Sequence, residues 1–212
     1  MLSNFFKHIF GSFGRWFLNW LANSDVTPNQ ITCIGLALVL ANCSFYLINR
    51  DTFWLGVGLA LSFTFDSLDG VIARRQGTQS KFGGYLDAIA DRYQEIAAYL
   101  VIAWVNGYWP VVFFVMTGSL LTSYNKSRTA IEIPVDNKAW PDLLDRPRRM
   151  WLLCAALILD GAIPIPAALV GRPLYLVLII LAVLTHFTAF QRFFRARRML
   201  LALGGKDVPS MS

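Results

Sequence analysis

Residues 53–92 read FWLGVGLALSFTFDSLDGVIARRQGTQSKFGGYLDAIADR, and this stretch decides the fold. Its first apolar run ends in two aspartates, and its second apolar run opens with two more. Each run has close to the roughly 20 residues that a helix needs to cross a membrane. We therefore predict two antiparallel transmembrane helices, Phe53–Ala73 and Gly84–Val105, joined by a short polar loop.

Apolar segments of similar length recur on both sides of this pair. Only 15% of the residues are charged and 56% are hydrophobic, whereas soluble domains average about 25% charged residues. This composition excludes a single soluble domain and predicts an all-α integral membrane protein with six transmembrane helices. The other four predicted spans are Pro28–Ile48, Trp109–Ser127, Met150–Val170 and Pro173–Phe194.

Residues 2–21 carry a different pattern. Aromatic and aliphatic residues recur there at helical spacing, with Lys7, His8 and Arg15 between them. Such a pattern predicts an N-terminal amphipathic helix that lies in the membrane interface. The alternative is a first transmembrane helix, which would place these polar side chains in lipid.

A helix start follows the amphipathic segment. Thr27 has the position of an N-cap, Pro28 that of the first helical residue, and Gln30 closes a capping box. The chain thus divides into three predicted segments: an amphipathic juxtamembrane helix at 1–23, a six-helix transmembrane domain at 24–200, and a short C-terminal tail at 201–212.

The basic residues predict the orientation. The formal net charge is +6, and six spans place both termini on one face together with nearly all Lys and Arg. Arg50 and Arg172 fall on the opposite face. By the positive-inside rule, the termini and the inner loops are cytoplasmic, as in the inner membrane of a prokaryotic cell. In a membrane protein this bias indicates anionic lipid headgroups, and no nucleic acid partner is expected.

Four aspartates lie at the cytoplasmic ends of the central pair of helices. Asp66 and Asp69 are three residues apart, and Asp87 and Asp91 are four apart, so each pair shares a helical face. Uncompensated carboxylates at this depth are costly, and they repel one another. A carboxylate cluster without His or Cys favours hard cations such as Mg²⁺, Mn²⁺ or Ca²⁺.

The alternative is a set of structural salt bridges between these aspartates and nearby arginines. Glycines beside the carboxylates oppose this alternative, because they remove side-chain bulk and leave space for a ligand. The arginines concerned are Arg74, Arg75 and Arg92, and the glycines are Gly70, Gly83 and Gly84.

The spacing of these residues resembles a known motif. The chain reads Asp66-x-x-Asp69-Gly70-x-x-Ala73-Arg74, eight residues, and Gly83-x-x-x-Asp87-x-x-x-Asp91, which looks like the complete motif of the CDP-alcohol phosphatidyltransferases. That family transfers a phosphatidyl or other substituted phosphoryl group from a CDP-linked donor to an alcohol and releases CMP. The resemblance implies CDP-diacylglycerol as donor, a two-metal site with Mg²⁺ or Mn²⁺, and a homodimer.

The resemblance also implies roles for individual residues. The implied metal ligands are Asp66, Asp69, Asp87 and Asp91, of which Asp91 is also the candidate general base. The implied nucleotide contacts are Asp66, Asp69, Gly70, Ala73 and Arg74. Outside the motif, further candidates for donor binding are Asn29, Thr32, Ser80 and Lys81. Two alternatives stay open: Asn29 and Thr32 serve only in capping and packing, and Lys81 is an ordinary solvated loop residue.

Basic residues outside the motif predict the acceptor. Guanidinium groups bind phosphate oxygens bidentately, so a basic pocket favours an acceptor that itself carries phosphate. The predicted residues are Tyr124, Lys126, Arg128, Arg146, Arg149 and Arg192. Their surroundings partly resemble elements of prokaryotic phosphatidylinositol-phosphate and phosphatidylglycerophosphate synthases. The first predicted acceptor is inositol 1-phosphate, the second is glycerol 3-phosphate, and the third is an unphosphorylated alcohol. The alternative is that these basic residues form a fringe that binds anionic lipid.

Two other classes of function stay open on the sequence. A small cation transporter also uses intramembrane carboxylates, but the charged residues of the opposite half lie near loops, so no polar path faces the cluster. A non-catalytic lipid-binding or scaffold protein would not need all four aspartates of the motif. The sequence therefore favours an enzyme that acts on a cytoplasmic nucleotide and a membrane lipid.

Overall fold

The computed structural model describes residues 18–21, 24, 26–133, 144–163 and 173–202. Over these residues the chain is helical and contains no strand, which confirms the predicted all-α class. The helices are α1 (Pro28–Asn49), α2 (Thr52–Asp66), α3 (Asp69–Gln76), α4 (Lys81–Asn106), α5 (Trp109–Glu132), α6 (Arg146–Ala162) and α7 (Pro173–Ala202).

The start of α1 is as predicted. The Gln30 backbone N–H donates to the Thr27 hydroxyl at 3.3 Å, and the Thr27 N–H donates to Oε1 of Gln30 at 2.9 Å. Together they form a capping box, with Pro28 in the first helical turn. Two of the N–H groups that a helix leaves without internal partners are thereby satisfied.

The second predicted span is not a continuous helix. The hydroxyl of Ser67 donates to the carbonyl four residues earlier at 2.7 Å, and the N–H of Leu68 bonds to the carbonyl three residues earlier at 3.0 Å. This tighter turn separates α2 from α3. The predicted span Phe53–Ala73 therefore consists of two helices, α2 and α3, joined by this turn. That Asp66 and Asp69 share one face stays a prediction.

The chain forms two compact units, which divide after Val101. In the first unit, α1 packs against both α2 and α3. Small residues permit the close approach of α1 and α2: a Cβ atom built on Gly58 would lie 2.4 Å from Oδ1 of Asn42. The Asn42 amide donates to the Leu55 carbonyl at 3.0 Å.

The short helix α3 also contacts the segment before α1. Leu18 and Leu21 belong to a buried cluster with Leu68, Val71, Ile72 and Ile31, and Arg75 donates to Oδ1 of Asn19 at 2.6 Å. Residues 18–21 are helical. The rest of the predicted amphipathic helix at 1–23 lies outside the described residues. Ser24, which follows it, is described and is not helical.

In the second unit, α7 packs against both α5 and α6. A Cβ atom built on Gly118 would lie 2.4 Å from the Thr185 hydroxyl, and the Thr122 hydroxyl donates to the Thr185 carbonyl at 3.3 Å. As in the first unit, a glycine allows two helices to approach closely.

Three helix ends differ from the predicted ones. α5 continues beyond Ser127, because the Thr129 hydroxyl bonds within the helix at 2.7 Å and Arg128 pairs with Glu132 one turn later at 2.7 Å. α7 continues to Ala202 through a stretch of arginines. α6 ends at Ala162, where Ile163 adopts an extended conformation, and residues 164–172 and 203–212 lie outside the described part.

Three stretches of described helix are long and apolar enough to cross a membrane: Pro28–Asn49, Thr52–Gln76 and Pro173–Ala202, the second of which includes both α2 and α3. α6 has 17 residues, fewer than the roughly 20 of a typical span. α4 carries the motif residues Asp87 and Asp91 in its first half. The count of six spans stays a prediction.

Candidate active site

Three of the motif aspartates come together in the first unit. Asp66 at the end of α2 and Asp87 and Asp91 on α4 each offer a carboxylate oxygen, and these oxygens lie within 4.8 Å of one another. Asp66 is buried, with 4% of its surface exposed, and the other two are half-buried. An all-oxygen, anionic donor set of this size fits a hard divalent cation.

Asp69 is not part of that group. Its Oδ2 accepts a hydrogen bond of 2.6 Å from the Thr32 hydroxyl on α1, and its Oδ1 accepts from the N–H of Gly70. The Asp69 carboxylate is thus bonded to α1 through Thr32. A ligand role for Asp69 stays a prediction.

Asp66 has a neighbour that the sequence analysis did not single out. Gln94 on α4 is completely buried, and its Nε2 donates to Oδ1 of Asp66 at 2.9 Å. Gln94 follows Asp87 by seven residues, which places both within about 20° on the same helical face, and this spacing was the available signal. Glu95, one turn after Asp91, instead pairs with Arg92 at 2.8 Å.

A cleft of about 400 Å³ adjoins the aspartates, and Asp87 belongs to both. Two helices begin at this cleft: α1 after Thr27, and α4 after Ser80, whose hydroxyl accepts from the Gly83 N–H at 2.9 Å. Helix N-termini carry partial positive charge and favour anions such as phosphate. The cleft is therefore suited to an anionic ligand despite its aspartates.

Most of the predicted donor-binding residues line this cleft. They are Asn29, Thr32, Asp69, Gly70, Ala73, Arg74 and Ser80. Lys81 is exposed at the first position of α4 and is not among the lining residues. The lining also includes residues that the sequence analysis did not assign to donor binding, namely Thr27, Pro28, Gln76, Thr78, Gln79, Gly83 and Gly84.

The guanidinium group of Arg74 lies over the start of α3. A Cβ atom built on Gly70 would be in ordinary contact, 3.5 Å, with Nη1 of Arg74. Arg74 is exposed and makes no ion pair with the residues that the structure describes. The positive charge at the cleft is therefore available to a ligand.

Two of the predicted acceptor residues are buried in the second unit. Arg149 is 2% exposed and donates to the Ser119 hydroxyl at 2.8 Å and to the Leu144 carbonyl at 3.3 Å. Arg192 is 8% exposed and donates to the Thr122 carbonyl. Both guanidinium groups thus connect helices within this unit.

The other predicted acceptor residues are more accessible. Tyr124 and Arg128 are exposed, and Arg128 pairs with Glu132. A cleft of about 600 Å³ contains Arg128 together with Arg197 and apolar residues of α7. The remaining two of the set are half-buried, Lys126 and Arg146. An acceptor role for these residues stays a prediction.

Comparison with known proteins defines the class. Residues 25–204 match the CDP-alcohol phosphatidyltransferase family, so the match includes the motif, the cleft and nearly all of the described helices. The chain belongs to this family and is a membrane transferase of that class. A cation transporter and a non-catalytic scaffold are thereby set aside.

Two curated relatives narrow the comparison. Archaetidylinositol phosphate synthase of Pyrococcus horikoshii is 34% identical over 183 residues, which are 85% of this chain and 88% of that protein. Phosphatidylinositol phosphate synthase of Mycobacteroides abscessus is 29% identical over 184 residues, with 84% and 80% of the two chains covered.

The fold is also known from crystal structures. Phosphatidylinositol phosphate synthase of Mycobacterium tuberculosis with CDP-DAG bound has a TM-score of 0.73 at 22% identity, covering 85% of this chain and 91% of that one. The same protein in complex with manganese and citrate also has a TM-score of 0.73. The helical arrangement of this chain is therefore that of these transferases.

Proposed function

We propose that this enzyme transfers the phosphatidyl group of CDP-diacylglycerol to an inositol phosphate and releases CMP. The observation that carries the proposal is the cluster of Asp66, Asp87 and Asp91 beside a cleft lined by the family motif. The names of the two curated relatives support an inositol phosphate as the acceptor.

The cleft explains how the donor would be held. The diphosphate is attracted by the N-termini of α1 and α4 and by the guanidinium group of Arg74. Gly70 presents no side chain, so the nucleotide approaches the backbone of α3 closely. These residues orient the donor with its diphosphate toward the aspartates.

A divalent metal fits the carboxylate cluster. Asp66, Asp87 and Asp91 would hold it, and we propose a two-metal site of Mg²⁺ or Mn²⁺ in which Asp69 is a further ligand. When bound, such cations neutralise charge on the diphosphate and on the leaving CMP. The carboxylates, in turn, are stabilised by a charge that their depth in the protein otherwise lacks.

We assign proton transfer to Asp91. The acceptor hydroxyl forms a new bond to the phosphorus of the phosphatidyl group, and the bond from that phosphorus to the bridging oxygen breaks. CMP leaves with the electron pair of that bond, while a carboxylate oxygen of Asp91 takes the proton of the hydroxyl. The donor is thus consumed without oxidation or reduction.

The proposal extends to the membrane arrangement. We propose six spans, in which α2 and α3 form one span, preceded by an amphipathic helix within residues 1–23 and followed by a tail at 201–212. The basic residues favour a cytoplasmic site and cytoplasmic termini. A homodimer, the choice between Mg²⁺ and Mn²⁺, and an acceptor pocket built from the basic residues of the second unit are also proposals.

The proposed function is tested by following CMP release from the purified enzyme. The protein in detergent receives CDP-diacylglycerol, Mn²⁺ or Mg²⁺, and one acceptor at a time: inositol 1-phosphate, glycerol 3-phosphate, inositol or serine. We expect release with inositol 1-phosphate, because basic side chains favour a phosphorylated acceptor. Release with glycerol 3-phosphate alone, or with an unphosphorylated alcohol alone, would contradict the proposed acceptor.

The same assay tests the metal requirement. EDTA should stop CMP release, and an excess of Mn²⁺ or Mg²⁺ should restore it, because the clustered carboxylates cannot neutralise a diphosphate themselves. Zn²⁺ serves as the control ion. Because it prefers nitrogen and sulfur ligands, it should not restore CMP release as Mn²⁺ or Mg²⁺ does. Full release in EDTA would count against the metal site.

Replacement of Gly70 separates folding from donor binding. A Cβ atom at this position meets only Nη1 of Arg74, at 3.5 Å, and Gly70 is not among the glycines with positive φ, so Gly70→Ala should fold with at least wild-type stability. The added methyl group occupies the cleft, and we expect the KM for CDP-diacylglycerol to rise about tenfold, which corresponds to ~1.4 kcal/mol.

The measurement compares donor KM with the thermal unfolding midpoint in detergent. Ser44→Ala, at an exposed position of α1 that does not line the cleft, is the control for a small change in helix stability and should leave the KM unchanged. An unchanged KM in Gly70→Ala would mean that the nucleotide does not approach α3.

A further inference from the structure

Gln94 contacts the carboxylate cluster but is not part of the family motif. Its side chain is completely buried, and its Nε2 lies 2.9 Å from Oδ1 of Asp66. Burying an amide without a hydrogen bond costs about 1–3 kcal/mol by mutational measures, so a buried Gln is retained where its bonds matter. The contact therefore needs an explanation beyond packing.

The contact joins the two helices that supply the clustered carboxylates. Asp87, Asp91 and Gln94 all belong to α4, whereas Asp66 ends α2. The two aspartates on α4 are positioned relative to each other by one continuous helix. Asp66 is the member whose position depends on packing between elements, and the amide of Gln94 fixes it to the helix that carries the other two.

Asp66 is held from the other side by α1. A Cβ atom built on Gly35 would lie 2.5 Å from Oδ1 of Asp66, so this oxygen occupies space that any other residue at position 35 would fill. Oδ1 is therefore confined between Gly35 and Gln94. Because the two oxygens of a carboxylate are rigidly connected, fixing Oδ1 also fixes the direction of Oδ2.

The donor at this position is neutral. An arginine or lysine would orient Asp66 equally well, but it would neutralise the charge that a cation needs. The nearby cation on α4, Arg92, has its own acidic partner in Glu95, at 2.8 Å. An amide donor orients a carboxylate and leaves its negative charge in place, which is how outer partners of metal ligands commonly act.

We propose that Gln94 is a positioning residue for the metal site: it orients Asp66 for divalent-cation binding through a neutral hydrogen bond. The inference rests on the proposed metal site but adds a residue to it. It concerns cation affinity, so its test requires neither the donor nor the acceptor.

The test measures Mn²⁺ binding to the purified full chain by the electron paramagnetic resonance signal of free Mn²⁺. Gln94→Met keeps the length and the burial of the side chain but removes the donor, and we expect the Kd for Mn²⁺ to rise about 10–100-fold. In the transferase assay, saturating Mn²⁺ should restore kcat, which a merely misfolded variant would not show.

Two further variants make the test specific. Ser62→Ala removes a buried hydroxyl on α2, which bonds to the Gly58 carbonyl at 2.8 Å, and should leave the Kd unchanged. Gln94→Asn keeps the amide but shortens its reach by one methylene, and it should weaken Mn²⁺ binding as Gln94→Met does. This second variant decides the matter if the methionine variant does not fold.

A double-mutant cycle identifies the pathway of the effect. If Gln94 acts through Asp66, then Gln94→Met should cause no additional loss of Mn²⁺ affinity in an Asp66→Asn background. An equal loss in both backgrounds, or wild-type affinity in both Gln94 variants, would overturn the inference. Failure of CMP release with normal Mn²⁺ binding would instead refute the proposed function and leave this inference intact.

Discussion

Asp91→Asn is expected to abolish CMP release while the protein still folds and retains part of its donor affinity. The carboxylate of Asp91 lies within 4.8 Å of those of Asp66 and Asp87. The substitution removes one cluster ligand and the proposed base but keeps the shape of the side chain. General-base catalysis alone contributes about 10²–10⁴-fold, so the rate should fall by at least about a thousandfold.

The measurement pairs two experiments on the same preparation. Single-turnover CMP release reports the chemical step, and calorimetric titration with CDP-diacylglycerol in detergent reports binding. We expect the first to disappear and the second to weaken only in part, because the cleft is lined by other residues. Retained turnover in Asp91→Asn would contradict the assignment of the base.

Asp51→Asn is the matched control for this prediction. Asp51 caps the opposite end of α2, where its Oδ1 accepts from the Phe53 N–H at 2.9 Å. Asparagine caps helices as well as aspartate does, so the same chemical change should leave both release and binding at wild-type values. An equal loss in this variant would indicate a general effect of charge.

The residues on α4 were the most predictable part of the site. Asp87 and Asp91 are four residues apart on an uninterrupted helix, so the sequence spacing carries over directly into space. The division of the second span into α2 and α3 was not predictable in the same way. It depends on the hydroxyl of Ser67 and on the tight turn at Leu68, which the apolar pattern of the span does not record.

Partners on other helices account for the remaining differences. Arg149 and Arg192 carry the type of side chain that binds phosphate, yet both are buried and bond to groups of other helices. Gln94 has a polar side chain of a type usually found on protein surfaces, yet it is buried against Asp66. A sequence gives the spacing along a helix, but which side chain it meets on the next helix depends on packing.

Gly35→Ala should have the second-largest effect, although this residue lies outside the motif. A Cβ atom at Gly35 would lie 2.5 Å from Oδ1, 3.0 Å from Cβ and 3.1 Å from Cγ of Asp66. Rotation about the side-chain bonds moves Oδ1 but leaves the Cβ atom of Asp66 where it is. The new methyl group therefore pushes the whole residue, and with it a ligand of the proposed metal site.

Gly58→Ala provides a control within the same pair of helices. Its Cβ would meet the amide atoms of Asn42 at 2.4–2.5 Å, and that flexible end of the side chain can turn away at the cost of its bond to the Leu55 carbonyl. Overpacking of this kind costs about 1–3 kcal/mol. Both variants should therefore lower the unfolding midpoint, by similar amounts, in detergent without metal.

Activity should distinguish the two variants. Gly35→Ala displaces a carboxylate of the cluster, so we expect at least a tenfold loss of CMP release, or ~1.4 kcal/mol, and a higher Mn²⁺ concentration for half-maximal rate. Gly58→Ala should retain wild-type values of both, because Asn42 is not part of the site. If the two variants lost activity equally, the loss would come from the packing of α1 against α2. A loss confined to Gly35→Ala would instead mean that the absence of a side chain on α1 is a requirement of the site, since only that space allows Asp66 to reach Asp87 and Asp91.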